Sequence, residues 1–180
     1  MTRIIGLIVA VLLGLLAGAP IAVSAGSVSP ATMVLRTGLP DRALTPGVTN
    51  PAVTQSTIHR TICVSGWTSS IRPSSSYTTA LKHSQLVTYR FVDRTLSHYE
   101  EDHLISLELG GSPKSPRNLW PEPHSIRLAG GLQVGSYAKD GFENYLHRAV
   151  CSGRLTLATA RYEIARNWVY YWRRAGRPRG

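Results

Sequence analysis

Tyr99-Glu100-Glu101-Asp102-His103-Leu104-Ile105-Ser106-Leu107-Glu108-Leu109-Gly110-Gly111, followed by Arg117-Asn118-Leu119-Trp120-Pro121, is the stretch on which the reading of this chain turns. An Asp stands directly before a His at the head of an apolar, strand-like run. The run ends in a Gly-Gly turn, and an Asn opens a second short apolar run. The stretch also concentrates acidic charge (Glu100, Glu101, Asp102, Glu108) in a chain of 180 residues with net charge +10. Side chains alternate along a strand. Asp102 and His103 therefore diverge in a regular strand and serve one site only if the chain bends there, or if they flank a common centre from two sides.

Outward from this stretch, helical patterns dominate. A helix is expected over residues 139–150, with Phe142, Leu146 and Val150 on one face, and another over 157–173. The buried stripe of the latter is Leu157, Ala160, Ile164, Trp168 and Tyr171, with Arg161, Arg166, Arg173 and Arg174 decorating it. Upstream, Thr79 is a candidate cap for a helix over 80–89 with Leu81, Leu86 and Tyr89 facing inward. Asn50-Pro51 reads as the start of a short helix over 52–58, and residues 61–64 are strand-like. Pro121-Glu122-Pro123 is expected to break any strand. The fold class is α+β, and no internal repeat is visible.

Residues 1–25 carry one charge, Arg3, around an apolar core ending in small residues, the pattern of a secretory signal. The core is shorter than the ~20 residues of a membrane-spanning helix. The expectation is a secreted or periplasmic protein with no stable membrane span after cleavage. Residues 26–49, rich in Ser, Thr, Pro and Gly, read as a disordered linker. One domain then covers 50–175, and 176–180 form a basic tail. Outside the cytosol, the two cysteines, Cys63 and Cys151, are most simply a disulfide. Twenty Lys and Arg against ten Asp and Glu favour a polyanionic partner.

The central residues also point to a chemistry. Phosphodiester hydrolysis needs a base near neutral pH, for which His is suited, and a cation to neutralise charge on phosphate oxygens. Carboxylates are hard ligands for such a cation. Asp102-His103-Leu104-Ile105, the Gly110-Gly111 turn and Asn118-Leu119-Trp120 resemble the core of the HNH endonucleases, the ββα-metal or His-Me finger group. The resemblance covers residues 98–150. It implies a small hairpin-plus-helix core with additional helices around it, His103 as general base, Asp102 as metal ligand, and Asn118 bracing the hairpin. It also implies cleavage of nucleic acid, DNA first and RNA as the alternative, to 5′-phosphate ends. The implied cofactor is a divalent metal, Mg²⁺ foremost, with Mn²⁺ or Zn²⁺ as alternatives.

The departure from the family pattern lies in the further ligand. Arg127 stands where many relatives carry Asn or His. Other candidates are His124 and, at helical spacing on one face, Asp140, Glu143 and His147; Glu143 and His147 are the preferred pair. Lys114, Arg117 and Arg127 are candidate phosphate contacts. The competing expectation is a non-catalytic basic module that binds DNA or an acidic cell-wall polymer.

Overall fold

The computed structural model describes residues 28–179; the expected signal segment, residues 1–25, lies outside them. Five α-helices and two small antiparallel sheets are present among the described residues, an α+β arrangement. The central stretch forms the hairpin β1 (Tyr99–His103) and β2 (Leu119–Pro123), with Asp102 opposite Trp120 and His103 opposite Leu119. The apolar run after His103 does not continue as strand. The chain bends at residues 104–105 and closes a 3-10 turn over Leu107–Leu109. Contrary to expectation, β2 runs through Pro121 and Pro123. In a two-stranded sheet each strand has one unpaired edge, and two prolines at alternate positions place their missing N–H groups on that edge.

Two helices on the N-terminal side cover the hairpin. The helix α1 (Pro30–Thr37) lies within residues 26–49, so the disordered linker expected there is corrected. Ser29 caps α1, Pro30 opens it and Gly38 ends it at φ 72°. Val34 is fully buried, and the Gly38 carbonyl accepts from the Trp168 indole at 3.0 Å. After the short helix α2 (Trp67–Ile71) comes α3 (Ser75–Thr88), capped by Ser74 rather than Thr79. Leu86, Tyr89, Phe91, Leu104 and Trp120 form one core with α1. Neither the 52–58 helix nor the 61–64 strand forms. Those residues make turns and a 3-10 helix at Ile58–Arg60, with Val53, Ile58 and Ile62 inserted into a second core. With no neighbouring strand to pair with, the β-branched residues 61–64 are satisfied as turns.

The second core is built on a helical hairpin. A two-residue ladder, β3 (Ile126–Arg127) with β4 (Gln133–Val134), leads into α4 (Ser136–Cys151), and a short connection leads to α5 (Leu157–Arg174). Phe142, Leu146 and Val150 are fully buried on α4, as the spacing predicts. Along α5 the buried stripe runs through Leu157, Ala160, Ile164 and Trp168. It then shifts to Val169 and Trp172, leaving Tyr171 half-buried. The shift follows from Asn167, whose extended backbone breaks the helix and whose side chain accepts from Tyr170 N at 2.9 Å, recapping the last two turns. No helix among the described residues is long and apolar enough to cross a membrane.

A disulfide joins Cys63 to Cys151 across 88 residues, tying the 3-10 segment to the end of α4. Closing a loop of that length removes chain entropy worth roughly 4 kcal/mol from the unfolded state. A Cys63→Ala/Cys151→Ala variant should therefore lose stability toward that magnitude, read as a lower urea midpoint, with a steeper slope because the freed unfolded chain exposes more surface.

Candidate active site

Asn118 shapes the segment that carries the site. It is fully buried, and its carboxamide is satisfied on both ends. Oδ1 accepts from Ile105 N at 3.0 Å and from Val48 N at 3.4 Å, while Nδ2 donates to the Ile105 and Ser112 carbonyls at 3.0 and 3.1 Å. The loop between β1 and β2 is thus pinned across its waist. Gly111 lies against this clamp: a Cβ there would sit 1.7 Å from the Ile105 carbonyl oxygen and 2.7 Å from Asn118 Nδ2, so only glycine fits. From the other side, Arg161 donates to the Leu109, Val53 and Gly110 carbonyls at 2.8 to 3.1 Å. That guanidinium, expected to decorate α5, instead anchors the turn.

The pinned loop brings the Pro113 carbonyl to His103. Nε2 of His103 donates to it at 3.0 Å, so the neutral ring carries its proton at Nε2 and keeps a lone pair on Nδ1. Burial lowers the pKa of His103 below the usual 6.5, against the opposing pull of the Pro113 carbonyl and of Asp102. Because β1 ends at His103 and the chain bends at once, Asp102 and His103 both line one cavity of about 330 Å³. The bend thus lets two neighbouring side chains reach a single centre.

Carboxyl groups gather around it. Six of the chain's ten acidic residues are here: Glu100, Asp102, Glu108, Asp140 and Glu143 line the cavity, and Glu122 lies buried beside Asp102. Lys139, fully buried, is their counter-charge. Its ammonium donates to Asp102 Oδ2 at 2.5 Å, to the His103 carbonyl at 2.8 Å and to Glu143 Oε1. Burial alone would raise Asp102, but Lys139 outweighs it and holds the carboxylate below its usual range. Burial raises Glu143 to about 8, with Lys139 pulling against it, and burial together with the Asp102 charge lifts Glu122 well above its usual range. Glu100 stands directly opposite Glu122 in the hairpin register, and burial likewise raises it. Glu101 turns to the α3 side, where burial raises it to about 8.

The expected site residues separate into three groups. Asp102, His103 and Glu143 come together in the cavity, with Asn118 bracing it. Lys114 and Arg117 lie exposed on the β1–β2 loop, Lys114 directly after the carbonyl that holds His103. His147 and Arg127 are not brought to the cavity. His147 Nε2 bonds the Ile62 carbonyl at 2.8 Å beside the Cys63–Cys151 bridge, because four residues from Glu143 along α4 it faces the disulfide side. Those cysteine sulfurs are spent in their mutual bond, so His147 has no metal partners there. Arg127 lies on β3, where its guanidinium donates to the Gly131 carbonyl at 3.4 Å, and His124 pairs with Ser136.

Two residues that shape the site, Lys139 buried behind the cavity and Arg72 on its lining, carry no mark in the sequence. Lys139 reads as the first residue of a helix, and nothing local shows that it is buried. Arg72, in the loop before α3, lines the cavity with no hydrogen-bond or ion-pair partner among the described residues. Its approach to His103 is a tertiary contact without sequence signature. A scan against protein-family models matches none, and searches of curated proteins and of solved structures return no match either.

Two outcomes follow from this geometry. Asn118→Ala strands the Ile105 and Val48 N–H groups and the Ile105 and Ser112 carbonyls at about 1–3 kcal/mol for each unsatisfied buried group, so thermal melting should fall sharply, and Asn118→Asp, which sets a buried carboxylate oxygen against those two carbonyls, should not restore it. In EDTA, the His103 ring should titrate below 6.5, and ¹⁵N shifts should report the Nε2–H tautomer. A buried neutral His adds stability that is complete above 6.5 and is lost as pH falls through its lowered value.

Proposed function

We propose that this chain is an exported endonuclease of the HNH type that hydrolyses phosphodiester bonds in nucleic acid, DNA before RNA. The observation that carries the reading is His103: an imidazole whose Nε2 is anchored by a backbone carbonyl and whose Nδ1 is left as a base inside a carboxylate-lined cavity. On this reading the hairpin β1–β2 and α4 form a ββα-metal core. The donor set fits a hard divalent cation. Lys139 takes one oxygen each from Asp102 and Glu143 and leaves a second on each for another ligand, so these two would hold the ion, with Asp140 and Glu108 at its margin.

The bound cation would supply charge neutralisation at the phosphate oxygens. His103 Nδ1 takes the proton of a water, whose oxygen attacks phosphorus. The bond to the 3′ oxygen breaks and that oxygen takes a proton from solvent, giving a 5′-phosphate and a 3′-hydroxyl. Arg72 offers a two-pronged donor to the non-bridging oxygens. Asn118 and Pro113 fix the base in its tautomer, and Lys139 keeps Asp102 ionised and oriented.

Supercoiled plasmid incubated with the protein and Mg²⁺ or Mn²⁺ should be nicked and linearised, with no cutting in EDTA. His103→Ala should slow cutting about 10²–10⁴-fold, and Arg72→Ala about 10²-fold. Equal cutting by His103→Ala rejects the assignment.

One observation favours a second reading, a basic non-catalytic module for DNA or an acidic cell-wall polymer: Lys139 already neutralises both Asp102 and Glu143 from within. Isothermal titration with Mn²⁺ separates the two. A single site abolished by Asp102→Ala belongs to the enzyme, whereas absence of metal binding belongs to the module.

A further inference from the structure

The largest cavity among those described lies elsewhere. It is an open groove of about 790 Å³ that shares no lining residue with the His103 cavity. Arg173, Arg177 and Arg179 line it, together with Trp172 and the Gly130-Gly131 turn, and no carboxylate among the described residues does. None of the three guanidinium groups has a hydrogen-bond or ion-pair partner among the described residues, so three positive charges converge on one concavity without internal compensation.

The tail that carries two of them is held in place. Arg177 N donates to the Trp172 carbonyl at 2.9 Å, and the Trp172 indole donates to the Pro178 carbonyl at 3.1 Å. On α4, Gly141 admits the tail: a Cβ there would sit 2.4 Å from the Pro178 carbonyl oxygen and 2.9 Å from Arg179 Cα. A tail expected only to add charge is therefore a fixed wall. Arginine on a fixed backbone suits phosphate, since its planar fork is pre-organised for two parallel hydrogen bonds. A bilayer surface is flat and meets protruding cations. A concave row of cations fits a ribbon of phosphates.

We propose that this groove is a second nucleic-acid site, one that grips the phosphate backbone outside the cavity where His103 acts. The identity of the ligand rests on the nuclease reading, whereas the anion site itself rests on the groove. Arg127, whose guanidinium bonds the Gly131 carbonyl, flanks it and extends the positive rim.

The test uses the full chain with His103→Ala in EDTA, so that binding is measured without cleavage. A fluorescent duplex of about 30 base pairs is titrated between roughly 50 and 300 mM KCl. Replacing Arg173, Arg177 and Arg179 together by Ala should reduce the slope of log K against log salt by roughly 2 to 3, about 0.9 for each phosphate that the groove no longer neutralises. Affinity at the lowest salt should fall at least tenfold. Lysine at the same positions should restore most of the slope. Alanine at Arg42, Arg60 and Arg148, which are exposed elsewhere, should change it by less than about 1. An unchanged slope in the tail variant, or an equal loss in the control variant, overturns the groove. An acidic wall polymer that displaces the duplex at equal charge, with the same dependence on the three arginines, overturns the choice of nucleic acid. Failure of the unmutated chain to cut DNA with Mg²⁺, beside an intact slope effect, defeats the nuclease reading and leaves the groove standing.

Discussion

The carboxamide of Asn118 is the constraint on which the site depends. A loop that leaves one strand and returns to its neighbour must satisfy its inward-facing amides and carbonyls, and here one buried side chain serves three of them and the Val48 N–H of the passing N-terminal segment. With that clamp closed, Gly111 has no room for a side chain, the Pro113 carbonyl reaches His103, and the imidazole has one tautomer. The tautomer of His103 is thus set by hydrogen bonds within the loop itself. Arg161 repeats the device from α5, tying the same turn to the helical core through three carbonyls.

Lys139 solves a different problem. Gathering six acidic residues around one cavity is unfavourable, because each loses hydration and repels the rest. A buried ammonium that touches Asp102, Glu143 and the His103 carbonyl offsets part of that cost and fixes the end of β1 against α4. One positive charge does not balance the whole set, and raised values at Glu100, Glu122, Asp140 and Glu143 record the remainder. Removing the lysine alone would leave buried carboxylates unpaired, the costly way to break such a cluster.

What is legible in the sequence is what local pattern dictates. Fourfold spacing places Phe142, Leu146 and Val150 inside, and a lone pair of cysteines indicates a disulfide, whereas the hairpin follows from the resemblance alone, since the apolar run that reads as strand turns away after His103. The adjacency of Asp102 and His103 marks the site, although the bend that unites them does not show. The linker reading fails despite a local signal: Ser29-Pro30 and Gly38 are start and stop marks that composition masks. Arg72, Lys139 and His147 are beyond local reading, because their roles depend on which helix face meets which loop. His147 shows the limit of helical spacing: Glu143 and His147 share a face by rule, yet one meets the cavity and the other meets the Ile62 carbonyl. A face on α4 spans enough arc to touch two different neighbours.

The distribution of charge gives these pieces one logic. A cavity rich in carboxylates repels a polyanion, so a nucleic acid would not approach it on electrostatic grounds alone. The approach must be driven from elsewhere on the surface, and the net charge of +10 is more than enough to do so. Arginines at the C-terminal groove would supply attraction where no carboxylate among the described residues opposes it, while Arg72, set among the acids, would supply it only at short range. On the proposed function, separating the attracting surface from the hydrolytic one would let the cavity stay acidic enough to hold a cation and the protein stay basic enough to hold its substrate.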